Sequence, residues 1–188
     1  MGAVKSREAF FEIGLEVLAD LGYGRLKLAV VCQRLGVTTG SFYHYFSSWS
    51  AYTRELVEHW QNGMTVTVVE AAGSETDPRA RIDRLIQSGL TLPHGAEGAI
   101  RAWSAVDPDV RAVQAAVDRH RFDALYACAL QILSHPRQAQ VFAAWGMYLL
   151  VGYEQVLLPA DLPGLGWMVD QMLDALDSGR FSSVPDDG

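Results

Sequence analysis

Two pairs of side chains in the first third of the sequence have spacings that invite chemistry. Ser41 and His44 stand one helical turn apart in GVTTGSFYHYF (36–46), where a histidine can serve a hydroxyl as general base. Glu55 and His59, four apart, can reach one metal ion from a helix face. Neither set is complete. No carboxylate lies near His44 to orient its ring, and no third ligand accompanies Glu55 and His59. His94 and His120 stand singly in an acidic region. The chain has no nucleophile elbow, no Gly-rich phosphate loop and no Cys/His cluster. These residues point away from catalysis: no catalytic residue, no metal and no cofactor is expected.

The same stretch makes better sense as a surface that meets an anion. Thr38-Thr39-Gly40-Ser41 is a poor helix-forming run, which argues that it serves another purpose. Phe42 and Phe46, four apart, share one face and should pack inward with Val37. Thr39, Ser41, Tyr43 and His44 then face outward. Hydroxyls there suit phosphate oxygens or base edges, and Gly40 lets a backbone come close. The surroundings agree. Residues 24–54 hold Arg25, Lys27, Arg34 and Arg54 and no acid, while residues 61–188 hold nine basic and sixteen acidic side chains and so account for the net charge of −7.

The elements that position these groups read as helices throughout. Ser6 caps a first helix that Gly22 ends. A short second helix runs from Lys27 to Leu35, Gly36-Val37 makes a tight turn, and Thr38 caps a third helix through Phe46. Ser47-Ser48 opens a long fourth helix through Trp60 towards Ala72, with the β-branched run TVTVV (65–69) inside it. GSETDP (73–78) reads as a linker. The two Asp-Pro pairs, 77–78 and 107–108, read as helix starts. Further helices are expected over HGAEGAIRAWSAV, from about Ser134 to Leu158, and over about 164–178. The fold class is all-α, about nine helices in total. Residues 1–48 form a three-helix helix-turn-helix domain, 49–180 a helical effector-binding and dimerisation domain, and 181–188 a disordered tail.

Residues 6–60 resemble the DNA-binding domain of the TetR family of bacterial transcription regulators. The resemblance is carried by the aromatic-rich first helix, Leu21-Gly22-Tyr23, the Leu35-Gly36-Val37 turn and residues 38–46. It implies a double-stranded DNA operator, a small-molecule effector and a homodimer. It also implies that Thr38, Thr39, Gly40, Ser41 and His44 cap the recognition helix or touch DNA, with Tyr43 at a phosphate-contacting position; Lys27 and Arg25 are expected near the flanking phosphates. Three positions depart from the common pattern. Thr39 stands where a basic residue is frequent, Lys27 where a capping hydroxyl is usual, and Trp49 where a lysine often grips the backbone.

The remaining two-thirds is read from its own residues. Trp103, Phe122, Tyr126 and Trp145 are candidates to line an effector pocket, with Arg101, His94, Asp123 and Glu154 as unranked polar partners. The acidic body favours a neutral or cationic ligand. Tyr148, Trp167, Met168 and Met172, on the last two helices, are candidates for the dimer interface. Cys32 and Cys128 form no ligand pattern and read as reduced core residues of a cytoplasmic, nucleoid-associated protein. Acids beginning at Glu8 argue against a leader, and the longest apolar run, 141–152, is too short to span a bilayer. Ligand-responsive DNA-binding regulation, as a repressor released from a palindromic operator, is the leading expectation. Two alternatives stand beside it: a helical enzyme, disfavoured above, and a helical small-molecule-binding or scaffold protein whose helix-turn-helix no longer binds DNA specifically.

Overall fold

A computed structural model describes residues 6–185. Among them are ten α-helices: α1 (Arg7–Leu21), α2 (Leu28–Leu35), α3 (Thr39–Tyr43), α4 (Trp49–Gln61), α5 (Thr67–Gly73), α6 (Pro78–Leu90), α7 (His94–Ser104), α8 (Pro108–Leu133), α9 (Pro136–Gln155) and α10 (Leu162–Asp177). A π-helical turn, Asn62–Val66, joins α4 to α5, so the expected long fourth helix is interrupted once. Counted through that turn, the helices number nine.

Most helix starts follow the caps that the side chains dictate. The hydroxyls of Ser6, Thr38 and Ser48 accept from the backbone N–H groups of Ala9, Ser41 and Ala51. Asp77 caps α6 ahead of Pro78, and the Asp107 carboxylate accepts from Asp109 and Val110 N–H at 3.0 and 3.2 Å. Gly36 closes α2 in the left-handed region at φ 69°, which turns the chain into α3.

The chain divides into two compact units, and their boundary differs from the expected break at 48/49. The first unit comprises residues up to Gly63 together with Pro93–Ala115; the second comprises Met64–Leu92 and the residues from Ala116 onward. The reason lies in packing within the first unit. Helix α7 lies against α1, and buried Trp60 of α4 donates its indole N–H to Glu97 of α7 at 2.7 Å. Glu97 is only 1 % exposed.

The second unit has its own apolar core, which includes Ile82, Ile86, Leu125, Phe142, Val169, Met172 and Leu176. Three further expectations are corrected, at the ends of α3 and α9 and in the tail. Helix α3 ends at Tyr43, not Phe46, although Phe46 N–H still bonds to the Phe42 carbonyl. The linker expected at 73–78 is the short connection between α5 and α6, inside the second unit. Helix α9 stops at Gln155, where Val156 turns extended. The expected disordered tail is ordered at its start: Arg180–Ser183 forms a 3₁₀ turn because Phe181 buries its ring against Phe142, 5.6 Å between centroids. Residues 186–188 of that tail lie outside the described residues.

Candidate nucleic-acid interface and effector cavity

The interface begins with an aromatic cluster that holds α3 in place. Phe42 is fully buried, and its ring meets Phe10, Phe46 and Tyr52 at centroid distances of 5.6, 5.0 and 5.4 Å. The pairs with Phe10 and Tyr52 meet edge-on, which adds to plain burial. The Tyr52 hydroxyl crosses the cluster to donate to the Phe10 carbonyl at 2.8 Å, and burial pushes its phenol well above the ordinary tyrosine range. Gly14 makes room for it: a Cβ there would lie 2.2 Å from the Tyr52 oxygen.

With Phe42 and Phe46 turned inward, the opposite side of α3 is left to solvent. Thr38, Thr39, Gly40, Tyr43 and His44 are exposed. Tyr43, 55 % exposed, rests edge-on against Phe42 at 5.3 Å, which steadies its hydroxyl at the surface. Ser41 is half-buried, and its hydroxyl lies 3.2 Å from that of Thr38, so these two hydroxyls form the cap of α3. Lys27 is exposed at the N-cap of α2 and makes no side-chain capping bond, since an ammonium has no acceptor. Of the seven residues read as the DNA face, Thr38, Thr39, Gly40, Ser41, Tyr43 and His44 lie on α3 and its caps, and Lys27 stands at the N-cap of α2.

Local charge is thinner than composition implies. Arg34 is paired with Asp20 at 2.6 Å, and Arg7 pairs with Glu55 while stacking over the Phe46 ring. Arg25, Lys27 and Arg54 remain exposed. Trp49 is drawn into the aromatic cluster, 4.9 Å from Tyr52. Glu55 and His59 do not converge as a metal pair: Glu55 meets Arg7, and His59 stacks on Phe11 at 4.8 Å. Among the described residues no three His, Cys, Asp or Glu side chains gather as metal ligands. Both cysteines are free and buried, and burial pushes both thiols up.

The second unit contains a cavity of about 90 Å³. Its walls come from the π turn, α5, α6, the segment after α6, α8, α9 and α10. None of the four aromatic residues expected there lines it. Trp103 belongs to the first unit, where it stacks on Tyr23 at 4.6 Å and donates to the Asp107 carboxylate. Phe122 and Tyr126 lie parallel, 6.2 Å apart, and pack against the second core. Trp145 is partly exposed and tilts against Phe181. Nor do Arg101, His94, Asp123 or Glu154 line this cavity. Its charged residue is Arg121, whose Nε donates to the buried Thr65 hydroxyl at 3.0 Å. Arg121 was legible in principle: Val117, Arg121, Leu125 and Cys128 form one inward stripe of α8.

Of the four residues expected at a dimer interface, three lie on the surface. Tyr148 is 75 %, Trp167 64 % and Met168 48 % exposed. Met172 is a correction: at 1 % exposure it is in the core of the second unit and walls the cavity, because the register of α10 points it inward with Val169 and Leu176. No helix among the described residues is long and apolar enough to cross a membrane.

Comparison with known proteins agrees with this geometry. Residues 11–50 match the profile of the bacterial regulatory proteins of the tetR family. The HTH-type transcriptional regulator BetI of Proteus mirabilis is 21 % identical over 127 residues, 63 % of this chain; the chain spans 64 % of that relative's length. Among solved structures, a TetR transcriptional regulator from Legionella pneumophila superposes with a TM-score of 0.74 at 13 % identity, covering 95 % of this chain and 99 % of that one. A transcriptional regulator from Saccharomonospora viridis, solved in complex with choline, superposes with a TM-score of 0.68 at 14 % identity, covering 92 % and 93 %.

Proposed function

We propose that the chain is a member of the tetR family of bacterial regulatory proteins, whose profile residues 11–50 match, and that it is a dimeric transcription regulator whose DNA binding answers to a small molecule held in the second unit. One observation carries the DNA half of this reading. Thr39, Gly40, Tyr43 and His44 are presented to solvent on a short helix whose other side is locked into an aromatic cluster. Rigid, solvent-facing hydroxyl and imidazole groups on the second helix of a helix-turn-helix suit the major groove. A pair of such helices, one per protomer, would read a palindromic operator. Release by effector, hence repression, follows if the effector binds more tightly to the conformation that fits DNA less well.

The test is a footprint on the intergenic DNA next to the coding sequence, repeated across a salt series. A protected palindrome whose half-sites lie about one helical turn apart, or a multiple of it, is the expected result. Binding that shows no sequence preference would leave instead a helical ligand-binding or scaffold protein that has lost its operator.

A further inference from the structure

We infer that the cavity of the second unit takes a small neutral apolar molecule of about three or four heavy atoms, in the class of short hydrocarbons and haloalkanes. As an effector site this rests on the regulator reading above; as a binding site it stands on the cavity itself.

The polar side chains of the wall decide the character of the guest, because each is already committed within the protein. They are Thr65, Ser88 and Arg121. The Thr65 hydroxyl accepts from Arg121 Nε at 3.0 Å, and one Nη of Arg121 reaches the Met64 carbonyl at 3.5 Å. The Ser88 hydroxyl turns back along α6 and donates to the Arg84 carbonyl at 2.9 Å. Arg121 thus ties α8 to the π turn and closes the wall. No acidic or aromatic side chain is among the lining residues. A cation would find neither a carboxylate nor an aromatic face there, and an anion only a guanidinium that the protein itself engages. Either ion would leave water without compensation. The expectation of a neutral or cationic ligand keeps its neutral half and loses its cationic one.

The rest of the wall sets size and fit. Met64, Met147 and Met172, three of the chain's five methionines, line the cavity among leucines and valines. Thioether side chains are polarisable and adjust to a guest. Protein interiors leave few voids larger than a water molecule, and a cavity with apolar walls stays dry and takes up apolar guests. At about 90 Å³ the space equals roughly three waters at about 30 Å³ each, which limits the guest to a few heavy atoms.

The experiment uses the full chain with isotope-labelled methionine methyl groups, read by NMR. Xenon and dichloromethane are the neutral probes, acetate and ethylammonium the charged ones of similar size, and cyclohexane the oversized one. Xenon and dichloromethane should shift the methyls of Met64, Met147 and Met172 saturably, while that of exposed Met168 stays in place. Acetate and ethylammonium should bind about tenfold or more weakly than dichloromethane, and cyclohexane should not bind. Gly89 lines the cavity, and a Cβ there meets nothing within 4 Å. Gly89→Leu should therefore fill the space, raise Tm and abolish the shifts. Val68→Ile enlarges another lining side chain. It should weaken dichloromethane about threefold or more, which keeps the test decisive if Gly89→Leu does not fold. The inference is overturned if neither neutral probe shifts the three methyls saturably, if Met168 shifts in parallel, if either ion or cyclohexane binds as tightly as dichloromethane, or if binding survives either folded variant unchanged. These shifts need no DNA, so their failure removes the site and leaves the regulator. A missing footprint, with the shifts intact, removes the regulator and leaves the site.

Discussion

At the scale of single residues, the aromatic cluster under α3 makes the clearest demands. A methyl group at position 14 would sit 2.2 Å from the Tyr52 oxygen and about 3 Å from Leu56. Gly14→Ala should therefore destabilise the first unit by about 1–3 kcal/mol, as overpacked cores do. Tyr52→Phe removes the hydroxyl that is struck. In that background Gly14→Ala should cost less, and a double-mutant cycle in urea would show the coupling; purely additive losses would mean that the contact is relieved elsewhere. On the outward side, Tyr43→Phe should weaken binding to every DNA sequence by about 1 kcal/mol, one hydrogen bond's worth. Lys27→Ala should lower the slope of log affinity against log salt by roughly one unit if its ammonium neutralises a phosphate. Titrations of these two variants across salt check both, and unchanged binding in both would put a different face of α3 against DNA. The inward and outward roles of these residues were legible because i, i+4 aromatic spacing is a local signal. Glu97 and Arg121 were not legible in the same way. Each is fixed by a partner far along the chain, Trp60 at 37 positions and Thr65 at 56, and nothing near either residue in sequence announces that partner.

At the scale of elements, helix starts were the most legible feature and helix interiors the least. Ser6, Thr38, Ser48 and Asp77 announce themselves because a cap is a bond between neighbours three residues apart. The π turn at Asn62–Val66 has no such local signature. The cavity escaped for a different reason. Its walls are Leu, Val and Met residues that look identical to core residues in sequence, whereas the conspicuous rings of Trp103, Phe122 and Tyr126 fill space in packed cores. One inter-element bond yields a pH prediction. Arg79 of α6 donates from Nε and Nη2 to the two carboxylate oxygens of Asp177 on α10, at 2.8 and 2.9 Å, and these bonds hold the Asp177 carboxyl below its ordinary value of 3.8. A carboxyl whose pKa is lower folded than unfolded stabilises the fold above its unfolded value, and that stability fades as pH falls through the folded one. The pair is partly exposed, so screening limits it to about 1 kcal/mol or less. Asp177→Asn should lose that amount at pH 7, and the unfolding curves of variant and wild type should converge as pH falls through the lowered pKa of the folded Asp177 carboxyl. A deficit that persisted at low pH would mean that the carboxylate acts through shape and not through charge.

At the scale of the whole molecule, the unanswered surface is apolar. Tyr148 on α9 and Trp167 and Met168 on α10 are exposed large side chains on successive helices that pack against each other within the second unit. Trp145 lies one turn before Tyr148, so the exposed face on α9 continues. Monomeric proteins seldom leave contiguous apolar patches beyond a few hundred Å² uncovered, and Trp, Tyr and Met are the residue types that concentrate in interface cores. A second copy of the chain is the partner that two-fold operator reading requires, and one self-complementary patch per protomer suffices for it. We therefore expect a homodimer joined through α9 and α10, with Tyr148 and Trp167 at its centre and Met172 excluded because it is buried within each protomer. Tyr148→Glu or Trp167→Glu should each place a charge in that contact and cost about 2–4 kcal/mol of association, as disrupted interface centres do. Sedimentation at micromolar concentration should show a dimer for the wild type and a folded monomer or an aggregate for either variant. The same variants should lose operator affinity although neither residue is on the DNA face, since binding both half-sites from one linked pair of domains raises effective concentration and a monomer forfeits that gain. A wild-type protein that sediments as a monomer, or a Trp167→Glu monomer that binds operator as tightly as wild type, would detach DNA recognition from this surface and leave the exposed rings of α9 and α10 for some other partner.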